Sequence, residues 1–216
     1  TLTGHDLEGS QITFSIVTQP TKGSLGGFPP NVVYIPNLNA VGLDSFTFKV
    51  NDAARDSAAA TVNITINEIN DAPKITGPFN VTGREETPFV FSTTPGPSIT
   101  VSDPDAGTSK IHLRLSVNNA TLTLGSGSAI DPADFLSGAN GTPSLEVAAT
   151  VADLNTALNG LTYTPNSNFN GQDTLSFVVN DQGASGSGGA LGSTFVVSIN
   201  VARVNDPPTI SSQSFT

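Results

Sequence analysis

The residues in this chain that could do chemistry are mostly oxygen donors. Asp103-Pro104-Asp105 sets two carboxylates two positions apart in a turn, and Asn70-Asp71-Ala72-Pro73 puts an amide and a carboxylate at the end of an alternating apolar stretch. The second pattern returns as Asn205-Asp206-Pro207-Pro208. Paired acids can act as general acid and base or as ligands for a hard cation. Carboxylates at i and i+2 of a tight turn are better placed to share one cation than to flank a glycosidic bond. Calcium takes about six to eight oxygens from carboxylates, amides and backbone carbonyls, and a linker has carbonyls to spare. The plain alternative is that Asp-Pro-Asp-Ala-Gly is a good type I turn on its own account. By the same token, Asp44 and Asp173 can simply shape the turn into a strand.

Covalent and acid–base catalysis find little support. With no cysteine there is no thiolate nucleophile, no disulfide framework and no Cys-type zinc site. Nucleophile-elbow, zinc-protease and phosphate-loop motifs are absent. The two histidines are His5, in a loop beside Asp6, and His112, on the outward phase of an alternating strand. The expectation is no catalysis.

Acids outnumber bases 18 to 8 for a net charge of −10, which argues against nucleic acid and is compatible with cations. No apolar run approaches the roughly 20 residues of a membrane helix, so no membrane insertion is expected. The absence of methionine reads as a piece of a longer protein, and a cysteine-free, Gly- and Pro-rich chain suits an extracellular, cell-surface or secreted setting.

Period-two patterning dominates the elements that must position these acids. Ile12, Phe14 and Ile16; Phe46, Phe48 and Val50; and Val62, Ile64 and Ile66 alternate with polar neighbours. Ile111 to Val117, Leu175 to Val179 and Phe195 to Val201 repeat the habit. Such strands bury one face, as in a two-sheet antiparallel sandwich. The exception is Val151, Leu154, Leu158 and Leu161, whose helical spacing predicts one short helix or turn over 151–161.

The chain also repeats itself. YIPNLNAVGLDSFTFKVND (34–52) aligns without gaps on YTPNSNFNGQDTLSFVVND (163–181). The offset is 129 residues at Tyr34/Tyr163 and 135 at Asn70/Asn205, so the second copy carries six extra residues. They are expected in the loop QGASGSGGALGS, whose composition suits a flexible hairpin tip. Asp6-Leu7-Glu8 parallels Asp103-Pro104-Asp105. The organisation expected is a module over 1–70 lacking its opening strand, a complete module over 71–206, and an opening strand of a further module at 207–216. Tyr34 and Tyr163 are expected in core or sandwich-corner packing.

Taken in order, Asp-x-Asp, Gly-x-Asp-Ser-Phe-Thr-Phe-x-Val-Asn-Asp and Ile-Asn-x-Ile-Asn-Asp-Ala-Pro resemble the cadherin-like repeats of giant bacterial surface adhesins, especially RTX-type repeat proteins. The resemblance implies tandem immunoglobulin-like, all-β sandwich modules, calcium at the joints, and a role in adhesion or reach. Carried over, the middle joint draws on Asp44, on Glu68, Asn70 and Asp71, and on Asp103, Asp105 and Asp181, with Asn118 or Asn119 as a further donor. A second joint draws on Glu85 or Glu86, Asp173, Asn205 and Asp206. Asp6, Glu8 and Asp52 belong to a joint ahead of the first residue. Two positions depart from the pattern: the first module lacks a counterpart of Glu85 or Glu86, and Arg203 stands where the first copy has Glu68.

The implied function is a calcium-stiffened extender. A direct carbohydrate- or cell-binding module is the alternative, weakened by the absence of Trp, and a non-catalytic accessory module of a secreted enzyme is another. Expected partners are neighbouring modules of the same chain or head-to-tail copies joined by strand addition, with a cell surface or glycan as a further target. Asn63, Asn80, Asn119 and Asn140 begin Asn-x-Thr glycosylation sequons.

Overall fold

The computed structural model describes residues 1–94, 96–127, 129–183 and 185–208. Its backbone contacts divide the chain into two units, Thr1–Ile69 and Asn70–Thr216. The strand expected at 207–216 falls, from 209 onward, outside the described residues.

The first unit is built from hairpins. Strands β1 (Thr13–Thr18), β4 (Gly42–Asn51) and β5 (Ala60–Ile66) form one antiparallel sheet in the order β1-β4-β5. Strands β2 (Gly23–Phe28) and β3 (Asn31–Pro36) form a separate hairpin. Alternation turns Phe14, Ile16, Phe46, Phe48 and Val50 to one side. Of these only Phe46 is fully buried, at 3% exposure, and Phe14 and Phe48 stack at 6.3 Å between ring centres.

The second unit holds the main core. Its larger sheet runs β12 (Phe135–Gly138), β13 (Ser144–Thr150), β10 (Lys110–Ser116), β15 (Gly171–Asn180), β16 (Gly192–Ala202) and β7 (Asn80–Arg84). The β16–β7 pair is parallel, and the other pairs in this sheet are antiparallel. Facing it are β11 (Ala120–Thr123), β14 (Thr162–Pro165) and β8 (Phe89–Val90), and beside them the pair β6 (Lys74–Thr76) and β9 (Thr100–Ser102). Leu113, Leu115, Leu122, Leu145, Tyr163, Leu175, Phe177 and Val197 are fully buried in the layer between. Each such aliphatic or aromatic side chain contributes about 1.5–3 kcal/mol by leaving water.

The expected helix is α1 (Val151–Leu158). Thr150 caps it, its hydroxyl oxygen accepting from the Asp153 N–H at 3.2 Å. Leu154, Ala157 and Leu158 form its buried face. On the outer side of the large sheet, half-buried His112 lies 3.6 Å from Glu146.

Strand register makes the internal repeat concrete. Phe46 pairs with Val62 in the first unit, and their counterparts Leu175 and Val197 pair in the second. The same holds for Leu25 with Tyr34 and Leu122 with Tyr163. Pairing at offset 129 on one strand and 135 on the next locates the six extra residues in the β15–β16 connection. The sequence reading expected α1 but not β12 and β13, and the three together separate β11 from β14 where the first unit has a two-residue turn at Pro29-Pro30.

Candidate metal centre

Strand β9 ends at Ser102, and the chain then turns on Asp103. Asp103 Oδ1 accepts from the N–H groups of Asp105, 3.2 Å, and Ala106, 3.0 Å, which tightens the turn. Buried Ala106 anchors it from below. Asp105 Oδ2 accepts from the Asp71 N–H at 2.9 Å. That accounts for one oxygen of each carboxylate. Asp103 Oδ2 and Asp105 Oδ1 are buried and have no hydrogen-bond partner.

Two orphaned carboxylate oxygens in one turn are expensive, because buried polar atoms are nearly always paired. The electrostatics reflect the crowding. Burial and then the neighbouring Asp105 push the Asp103 carboxyl above the usual aspartate range. Burial acts on Asp105 in the same sense, but Asp103, the Asp71 N–H and Ser185 outweigh it and hold Asp105 low.

Asp181 closes the neck of the loop between β15 and β16. Its Oδ1 accepts from the N–H groups of Gly183 and Leu191, both at 2.8 Å, and the Asp181 N–H donates to the Leu191 carbonyl at 3.0 Å. Gly183 takes φ +64°, and a Cβ there would lie 2.9 Å from the Ala190 nitrogen. Asp181 Oδ2 receives the Asn70 amide at 2.7 Å. Burial would raise the Asp181 carboxyl, but these donors hold it below its usual value while the Asp105 charge opposes them. Asn70, Asp71, Asp103, Asp105 and Asp181 are thus brought to one end of the second unit.

Other expected ligands serve their own units. Asp44 Oδ1 accepts from the N–H groups of Thr21 and Ser45, and Oδ2 from Lys22 N–H and the Tyr34 hydroxyl at 2.8 Å. Burial opposes ionisation there, yet these donors hold the Asp44 carboxyl well below the ordinary range. Asp173 repeats the arrangement, accepting from the Tyr163 hydroxyl at 2.9 Å and the N–H groups of Thr174, Asn118 and Asn119. These contacts agree with the turn-shaping alternative for the two aspartates. They also place Asn118 and Asn119 on Asp173 through their backbones.

Glu85 is buried at 2% exposure, with Oε1 accepting from Val204 N–H and Oε2 from the Asn170 amide, both at 2.9 Å. It therefore grips the strand leading to exposed Asn205 and Asp206, while Glu86 faces solvent. In the first unit, Asp6 accepts from the N–H groups of Glu8 and Ser10, and Asp52 from those of Ala54 and Arg55. Glu8 is exposed, and Glu68 is half-buried near the end of that unit.

Among the described residues, no three His, Cys, Asp or Glu side chains are gathered closely enough to hold a metal by themselves. The orphaned oxygens of Asp103 and Asp105 nevertheless fit a hard cation, which would replace a costly pair of bare carboxylates with coordination. The remaining oxygens must come from the backbone, Asp71, Asp181 or water. Sequence reasoning missed Ser185, Ser187 and Gly189, which reach this end of the unit from the inserted loop. Their signal was the six-residue excess itself.

No curated protein matches the chain. Among solved structures, the human mucin-like protocadherin EC1-2 is similar with a TM-score of 0.44 and 12% identity, over 89% of this chain and 85% of that one. Protocadherin gamma B2 domains 3–6 give 0.47 and 12%, over 90% and 40%. An endo-fucoidan hydrolase of glycoside hydrolase family 107 gives 0.32 and 18%, and the matched region spans 24% of that chain. Residues 1–65 match the family model described as a bacterial Ig domain. The chain is an all-β protein, its second unit packing two layers of strands around one hydrophobic core, with one α-helix among its described residues.

Proposed function

We propose that this chain is a calcium-stiffened structural segment of an extracellular adhesin or surface filament, akin to the RTX-type repeats, and serves as an extender rather than a catalyst. The observation that carries the reading is the pair of buried, unpartnered oxygens on Asp103 and Asp105. Bound calcium would supply the positive charge that this end of the second unit lacks. Asp103 and Asp105 would hold it, with Asp71 and Asp181 adjacent.

This reading departs in one respect from a joint built equally from two modules. Asp44 is already occupied by the Tyr34 corner, and the five gathered residues all belong to the second unit, Asn70 and Asp71 being its first two positions. The cation would therefore fix the entry segment Asn70-Asp71 onto the second unit, and a fixed entry removes freedom from the chain at that point. Calorimetric titration with calcium chloride tests this. The whole chain should bind calcium, and Asp105→Asn should weaken binding at least tenfold with the fold retained. Equal affinity in the variant would remove these carboxylates from the site.

A further inference from the structure

Asn70 is 5% exposed, unusual for an asparagine in an Asn-Asp-x-Pro connection. Its N–H donates to the Ser187 carbonyl at 2.9 Å. Its side-chain amide donates twice, to Asp181 Oδ2 at 2.7 Å and to the Gly189 carbonyl at 2.9 Å. Its Oδ1 accepts from the Ser185 hydroxyl at 3.4 Å. Every polar atom of the side chain is therefore committed, and each partner lies in the β15–β16 loop or at its neck.

We propose that Asn70 is a positioning residue whose side chain pins the Ser185–Leu191 arm of this loop beside the Asp103–Asp105 pair, so that loop packing and calcium binding stabilise one another. The proposal rests on the calcium reading and assigns Asn70 a role that the linker motif alone would give to a ligand.

The physical link is short. The Ser185 hydroxyl donates to Asn70 Oδ1 and helps to hold the Asp105 carboxyl low, and Asp71, the residue after Asn70, donates its N–H to Asp105. Asp181 accepts from Asn70 on one oxygen and from Gly183 and Leu191 on the other. Asp181 therefore holds the loop, and Asp105, with Asp103 beside it, holds the residue that follows Asn70. The Asp105 charge opposes ionisation of Asp181, and a divalent cation would reverse that. The loop is also where the second copy exceeds the first by six residues, so the device belongs to the second unit alone. The tip that composition suggested would be free is tied down by Asn70.

The discriminating substitution is Asn70→Asp. Aspartate has the same shape and is the better calcium ligand, but it cannot donate to Asp181 or Gly189. Amide exchange of Ser185–Leu191 would be followed in the whole chain, in calcium and in chelator, alongside calorimetric calcium titration. Wild type should exchange slowly, and more slowly in calcium. Asn70→Asp and Asn70→Ala should exchange fast in both conditions and bind calcium about tenfold or more weakly. The milder Ser185→Ala should shift both readouts the same way. Calcium binding by Asn70→Asp as tight as wild type would overturn the proposal. If wild type bound no calcium, the coupling would be overturned, and the comparison in chelator would still judge the pin: unchanged exchange in Asn70→Ala would dismiss that as well.

Discussion

Tyr34 and Tyr163 are the only tyrosines in the chain, and each donates its hydroxyl to an aspartate ten residues further on. Such a phenol is hard to ionise, because its phenolate would sit poorly solvated and place a negative charge against a carboxylate. Burial first, then the Asp44 hydrogen bond and charge, push Tyr34 up to about 12, and Tyr163 is pushed higher still. A raised folded value means the neutral phenol is favoured by folding. The contribution is fully present below the ordinary tyrosine value of about 10 and is lost as pH rises towards 12. Phenolate absorbance should therefore stay near zero at pH 10 in the folded chain and rise only beyond pH 11 or with unfolding. Half-ionisation at about pH 10 would contradict both corners. At this scale the sequence was informative about type but not about allegiance. That Asp44 and Asp173 mattered was legible from their alignment. That a tyrosine claims each of them depends on β3 and β14 passing beside β4 and β15, which only the fold shows.

Among the elements, β9 is three residues long and pairs with β6 on one side. Its other edge is served by the helix. Asn155 Oδ1 accepts from the Val101 N–H and its amide donates to the Val101 carbonyl, both at 2.8 Å, so one side chain stands in for a neighbouring strand. Asn155→Ala leaves both backbone groups of buried Val101 unpaired and should cost about 2 kcal/mol in urea unfolding. A loss within 0.5 kcal/mol would show that water replaces the amide. Alternation in the sequence identified the strands shared by the two copies and the helix from its 3.6-residue spacing. It passed over β12 and β13 because the repeat has no counterpart for them, although Leu145, Val147 and Ala149 alternate clearly. The Gly- and Ser-rich loop carried no periodic signal at all. Its partner is Asn70, more than a hundred residues earlier.

For the whole molecule, the candidate site was legible in its residue types, and the fold decided which of them meet. Asp103, Asp105, Asp181, Asn70 and Asp71 gather; Asp44 and Asp173 hold corners; Glu85 secures the strand leading to Asn205-Asp206. The net charge of −10 is tolerable in water, but carboxylate oxygens buried without partners, as on Asp103 and Asp105, are costly. The account therefore stands on calcium stabilising the second unit through that turn. A thermal melt of the whole chain in calcium, in magnesium and in chelator tests it most directly. Calcium at about a hundred times its Kd should raise the second unit's transition by about 5–10 °C and leave that of the first unit in place, whereas magnesium, or calcium added to Asp103→Asn, should shift neither transition. Coincident melts in all three buffers would contradict the account.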